Sequence, residues 1–177
     1  MSESLNLKLG IFGGGGVGKT CITLRFLKDE FTEGYIPTIE DEFQKVIEID
    51  NRTISLSIVD TAGQDNFAEM SFNYYGKVQG YVFVFDITNP SSVDDLRTMY
   101  NDAKSVAEDE DNIHCVIAAN KADLREDNKP EYVPVEDYEK MQTEFKCKVL
   151  ETSAKSGKNI NELFNAVIRT FLSASND

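Results

Sequence analysis

The sequence predicts an α/β domain built on a mostly parallel six-stranded sheet, with one antiparallel edge strand and helices on both faces. Three observations predict it. Short runs that alternate at period two, or that are wholly apolar, themselves alternate with stretches of helical spacing. Two early strand runs flank a turn at the polar pair Asp50-Asn51. The first strand runs directly into four glycines that precede a helix.

Leu5, Leu7, Leu9 and Ile11 alternate and then meet Gly13 to Gly16, which reads as a strand ending at a sharp turn. A helix is expected from about Gly18 to Lys28. Phe43 to Ile49 and Ile54 to Ile58 read as a hairpin of antiparallel neighbours turning at Asp50-Asn51. Tyr81 to Phe85 and Ile113 to Ala119 are short, continuous apolar runs of the kind buried parallel strands show, and Lys148 to Leu150 is a weaker third. Helices alternate with these strands. Val93, Leu96, Tyr100, Ala103 and Ala107 keep helical spacing, as do Ile160, Leu163, Phe164, Val167, Ile168 and Phe171. There are no repeats or linkers, so residues 1–177 are expected to form one domain around one core.

Composition narrows the partners. The chain carries 31 acidic against 18 basic side chains, a formal net charge of −13, so nucleic acid and bare anionic membranes are excluded as expected partners. The acidic run Glu108 to Asp111 reads as a solvated loop. Cys21, Cys115 and Cys147 are odd in number and lack metal-ligand spacing, which fits a reducing, cytoplasmic setting. No signal peptide or spanning apolar segment is expected, and the last residues, Ser-Asn-Asp, form no prenylation box. Membrane attachment, at the cytoplasmic face of the plasma membrane, is expected only through a lipidated tail outside these residues.

The motifs carry the chemistry. Gly13-Gly14-Gly15-Gly16-Val17-Gly18-Lys19-Thr20 fits the P-loop pattern between a predicted strand and a predicted helix. Glycines let backbone N–H groups close around phosphate oxygens, and the helix N-terminus adds a favourable dipole. In that setting Lys19 neutralises β- and γ-phosphate charge and the Thr20 hydroxyl ligates Mg²⁺. The motif makes this a P-loop NTPase fold but does not choose between ATP and GTP. Asn120-Lys121-Ala122-Asp123 follows a predicted strand, at the sheet edge where α/β ligands bind. The Asp123 carboxylate can accept from both guanine N1–H and the 2-amino group, and adenine has no such pair. A backbone N–H of the Ser153-Ala154-Lys155 loop can serve guanine O6, and the Lys121 stem can lie over the base. The lone histidine, His114, opens a buried strand beside no candidate nucleophile and reads as structural.

Order and spacing join these pieces. With Asp60-Thr61-Ala62-Gly63-Gln64 between the P-loop and Asn120, and with Phe31 and Tyr35-Ile36-Pro37-Thr38-Ile39-Glu40-Asp41 upstream, the chain from Leu5 to Leu172 resembles the Ras family of small GTPases, nearest its Ras and Rap branch. Glu42-Phe43 and Asp65-Asn66-Phe67 depart from the family's usual residues.

The resemblance implies a GTP-binding switch that slowly hydrolyses GTP to GDP, with Gln64, Lys19 and Thr38 as catalytic residues. Nucleotide contacts are implied for Gly15, Gly16, Val17, Gly18, Lys19, Thr20 and Cys21, then for Phe31, Tyr35, Pro37, Thr38 and Gly63. On the base side they are implied for Asn120, Lys121, Asp123 and Leu124, and for Ser153, Ala154 and Lys155. Mg²⁺ is implied at Thr20 and Thr38, and at Asp60 through water. Effectors would read Tyr35, Ile39, Glu40, Asp41 and Phe43. The expected partners are an exchange factor and an activating protein that supplies an arginine finger, acting on a monomer. The rivals are a nucleotide-locked module that never hydrolyses, and a P-loop ATPase or nucleoside kinase. Because the resemblance assigns Gln64 to the transition state, Gln64→Leu is expected to slow hydrolysis markedly with little loss of nucleotide affinity. Equal single-turnover rates for variant and parent would remove Gln64 from the mechanism.

Overall fold

In a computed structural model the described residues are 4–29, 40–61, 74–107, 113–125, 129 and 131–174, with 40, 41 and 61 described as backbone alone. The order along the chain is β1 (Ser4–Phe12), α1 (Lys19–Lys28), β2 (Glu40–Ile49), β3 (Arg52–Thr61), β4 (Gly80–Asp86) and α2 (Ser91–Val106). It continues with β5 (Cys115–Asn120), a single 3-10 turn (Ala122–Leu124), α3 (Asp137–Phe145), β6 (Lys148–Glu151) and α4 (Ile160–Ala174). The strands form one sheet in the order β2-β3-β1-β4-β5-β6. All neighbours are parallel except β2 and β3.

The hairpin turn follows from its residues. Asp50 and Asn51 both hold positive φ, 49° and 64°, as a two-residue turn matched to strand twist requires, and acidic and amide side chains tolerate that region best after glycine. The pairing then puts Phe43 opposite Ile58 and Ile47 opposite Ile54. Period-two alternation sends the strand residues to two cores. On one face Leu7, Leu9, Ile11, Val82, Val84 and Val116 pack with Ile22 and Phe26 of α1 and with Leu163, Phe164 and Val167 of α4. On the other, Phe12, Phe83, Phe85 and Ile117 pack with Leu96 and Tyr100 of α2 and with Met141 and Phe145 of α3. β4 is buried along its whole length because helices cover it on both sides.

The observed elements extend the sequence expectations and correct a few. β2 and β3 run several residues past the predicted hairpin, back to Glu40 and on to Thr61, because the ladder continues through Asp41 and Asp60. β5 starts at Cys115 instead of Ile113 and ends on Asn120 itself, in register with Asp86. Ala107 is not helical: it caps α2 with extended backbone, φ −73° and ψ 143°. α3 was not distinguished in the sequence, since only Met141 and Phe145, one turn apart, are buried on it. His114 packs edge-on against Phe171 at 5.8 Å, and burial lowers its pKa. Glu108 to Asp111 lie outside the described residues. All three cysteines are free thiols, and among the described residues no helix is long and apolar enough to cross a membrane.

Phe145 fixes α3 to the second core. Its ring meets Tyr100 edge-on at 4.9 Å, and the Tyr100 hydroxyl donates to the Phe145 carbonyl at 3.0 Å. Phe145→Ala removes a fully buried ring and is expected to cost about 3–5 kcal/mol in urea unfolding; a loss well below that range would show that α3 is held some other way.

Candidate nucleotide site

Three loops converge at the carboxyl ends of β1, β5 and β6. The loop after β1 folds as a cradle because its positions exclude side chains. At Gly18, φ is 102°, and a Cβ there would stand 2.4 Å from the Asn120 amide nitrogen. At Gly13 a Cβ would stand 2.5 Å from the Val84 carbonyl oxygen. α1 then starts at Lys19, so its first N–H groups and the positive end of its dipole point at the cradle. Lys19 is buried and donates to the carbonyls of Gly13 at 3.0 Å and Gly14 at 2.9 Å. Burial pulls its pKa down to about 8, while the nearby Asp60 carboxylate pulls the other way. The cradle thus holds a desolvated ammonium that gains from any added anionic partner.

Beside Lys19, the Thr20 hydroxyl donates to Asp60 Oδ2 at 2.6 Å. Asp60 is fully buried near the end of β3, opposite Ile11 of β1 in the ladder. Cys21, the third residue of the first turn, is half-buried, and burial pushes its thiol up. Val17 faces the first core, so its part in the site is its backbone.

The second loop is tied to the first by side chains. Asn120 Nδ2 donates to the Val17 carbonyl at 2.9 Å, and Asn120 Oδ1 accepts from the Thr152 hydroxyl at 3.0 Å. Lys121, at φ 68°, donates to the Gly16 carbonyl at 2.7 Å and pairs with Asp86 Oδ2 at 3.0 Å. Asp123 is exposed, and its Oδ1 accepts from the Ser153 hydroxyl at 2.7 Å. Ser153 and Ala154 are buried, while Lys155 and Leu124 are exposed.

The residues expected from the sequence at the P-loop, at Asn120 to Leu124 and at Ser153 to Lys155 are therefore brought to one edge, together with Asp60. Phe31, Tyr35, Pro37, Thr38, Ile39, Gly63 and Gln64 lie outside the described residues, as do the side chains of Glu40 and Asp41. Phe43 is half-buried, on the sheet face of Ile58. Three residues that the sequence reading did not single out take part. Asp86 and Thr152 hold Lys121 and Asn120, and Arg25 reaches the 154–155 backbone. Asp86 carried a signal, an acid closing an apolar strand run; Thr152 and Arg25 carried none.

A glycine cradle at a helix N-terminus, a buried lysine, and a neighbouring hydroxyl and carboxylate define a P-loop nucleotide-binding protein, with the loops after β5 and β6 at the same sheet edge. Comparison with known proteins gives the family. Residues 8–173 match the family model described as "Ras family". "Ras-like protein rasB" of Dictyostelium discoideum is 38% identical over 169 residues, 96% of this chain and 84% of that protein. "Ras-like protein 1" of Saccharomyces cerevisiae is 36% identical over 162 residues, 92% of this chain, and the match spans only about half, 51%, of that relative. The chain belongs to the Ras family of small GTPases, GTP hydrolases that bind GTP and GDP and work as molecular switches in signalling.

The geometry makes Gly18 a sharp test. Gly18→Ala places a methyl against the Asn120 amide and strains a left-handed backbone. Nucleotide affinity is expected to fall at least tenfold, measured by equilibrium titration, with the far-UV dichroism of the fold kept; full affinity would mean that the cradle tolerates displacement of Asn120.

Proposed function

We propose that this chain reads guanine through Asp123, holds the phosphates through the glycine cradle and Lys19, and times its switch by slow hydrolysis of the γ-phosphate. The observation that carries the reading is the Asp123 carboxylate fixed by Ser153 beside the tied Asn120 loop. A carboxylate has about four lone-pair sites, so one hydroxyl bond leaves room to accept both N1–H and the 2-amino group. Lys121, tethered to Gly16 and Asp86, lays its stem where the base would stack.

Mg²⁺ fits the hard oxygen donors that meet here, the Thr20 hydroxyl and the Asp60 carboxylate, with Thr38 completing the set and Asp60 acting through water. Bound there, the ion supplies charge neutralisation on the phosphate oxygens. Lys19 exchanges its two backbone carbonyls for phosphate oxygens, which adds counter-charge to that of Asp60 around a buried cation. Gln64 orients the attacking water, and the Gly63 N–H contacts the γ-phosphate.

No basic residue lies between Glu33 and Pro37, so no arginine in cis is offered to the transition state and turnover is slow. An arginine finger from an activating protein would contribute about 10³–10⁵ in rate. When the γ-phosphate leaves, Thr38 and Gly63 lose their contact and the surface from Tyr35 through Ile39, Glu40 and Asp41 to Phe43 changes for effectors. An exchange factor reloads the monomer with GTP. Its place is the cytoplasm, or the cytoplasmic face of the plasma membrane if a lipidated tail follows.

Asp123→Asn tests the base reading. The amide sets a donor against the guanine 2-amino group, but it can donate to the oxygen that xanthine carries there. The expected outcome in competition binding is at least a tenfold loss for GTP, from an unpaired group worth about 1–3 kcal/mol or more, with improved binding of xanthosine triphosphate. An unchanged preference for GTP would mean that Asp123 does not read the base.

A further inference from the structure

We propose that Arg25 is a positioning residue that straps the phosphate-binding helix to the base-reading loop and thereby sets how long a nucleotide stays bound. The inference rests on the reading of the 153–155 loop as part of the guanine site. Arg25 lies on α1, about two turns beyond Lys19. Its Nε donates to the Ala154 carbonyl at 2.7 Å and its Nη2 to the Lys155 carbonyl at 2.5 Å. Its Nη1 donates to the carbonyl and the carboxylate of Asp29, at 3.2 and 3.1 Å. Asp29 caps α1 in the left-handed region and returns its own N–H to the Arg25 carbonyl at 3.0 Å.

The guanidinium is thus held from behind by the end of its own helix while its front edge grips two successive carbonyls of a loop far away in sequence. Its stem passes under Gly157, whose φ is 85° and where a Cβ would stand 4.0 Å from Arg25 Cδ. A peptide unit is planar, so fixing the Ala154 carbonyl also aims the Lys155 N–H, and fixing the Lys155 carbonyl aims the next. Those N–H groups belong to the loop assigned to guanine O6.

The loop's own hydrogen bonds, Gly157 N–H to the Ser153 carbonyl at 2.8 Å and Ser156 N–H to Ser153 Oγ at 3.0 Å, fold the loop on itself but do not tie it to α1. Arg25 supplies that tie. A nucleotide is held at its phosphates by the start of α1 and at its base by this loop, so the strap makes the two halves of the site open together or not at all. Lysine replaces it only in part, because one ammonium does not present a planar fork to two carbonyls.

The test measures release of a fluorescent GDP from the loaded full chain during a chase with excess GDP, beside single-turnover hydrolysis of bound GTP. Arg25→Ala is expected to release GDP about tenfold faster or more, with Arg25→Lys in between and the hydrolysis rate of both within about twofold of the parent. A helix contact of merely structural value would not split release from hydrolysis in this way. Release from Arg25→Ala at the parent's rate, or a change in hydrolysis as large as the change in release, would overturn the proposal. If Arg25→Ala does not fold, Arg25→Lys carries the test, and parental release from it is the overturning result. A parent chain that binds no guanine nucleotide overturns the base reading and the strap together, whereas a parent that binds GDP with unchanged release in the variants overturns the strap alone.

Discussion

Asn120 ends a strand buried on both faces, where a side-chain amide must find its partners inside the protein or cost the fold the price of a stranded polar group. It finds one on each side. The NH₂ group takes the Val17 carbonyl of the glycine cradle and the oxygen takes the Thr152 hydroxyl of the loop after β6. A single residue therefore fixes the spacing of three loops that arrive from three strands. The other polar contacts at this edge are built on that spacing: Lys121 can reach the Gly16 carbonyl, and Ser153 can reach Asp123, only if the cradle and the two loops already stand at hydrogen-bonding distance. Gly18 belongs to the same constraint from the other side, because the Asn120 amide occupies the space a Cβ would need.

The site binds polyanions in a chain of net charge −13, and the conflict is resolved by distance. At physiological ionic strength charges are screened over about 8 Å, so the acidic surface has little say at the floor of the cradle. What acts there is local. The buried Lys19, the N-terminus of α1 and the half-exposed Lys121 all border the glycine cradle. Each lysine is already partnered, Lys19 near Asp60 and Lys121 with Asp86, so the site is closer to neutral than a count of its cations implies. A phosphate adds counter-charge to an ammonium that burial has disfavoured, which is a stronger interaction than the same pair would make in water.

Much of this was legible in the sequence, for a definite reason. Period-two and helical spacing report which side chains face a core, so every strand and the helices at 91–106 and 160–174 could be read from their apolar positions. The helix at 137–145 could not, because it sits at the sheet's edge and buries only Met141 and Phe145. The motifs were legible because the phosphate and guanine contacts proposed for them demand particular side chains at fixed offsets. What holds those motifs in place was not. Asn120, Lys121 and Arg25 all bind backbone carbonyls, and every residue has one, so no residue type at the receiving end marks the contact. Arg25 in particular reads in the sequence as one more polar position on an amphipathic helix.

α1 is where these contacts add up. Its first turn presents Lys19 and Thr20 to the site, Ile22 and Phe26 enter the first core, and Arg25 reaches the 154–155 backbone from a neighbouring face. Phe26 stacks on Phe164 of α4 with ring centres 4.0 Å apart, and the helix end is also held by Lys45 of β2, which donates to the Phe26 carbonyl at 2.8 Å and lies 4.4 Å from the ring centre. A shift of this helix along its axis would have to break the cradle, the aromatic stack, the β2 contact and the loop strap at once. Cooperative contacts of this kind make intermediate positions costly, so the frame is either in place or open. A ligand that touches both the first turn of α1 and the 153–155 loop then stabilises the whole frame by mass action and not one loop of it.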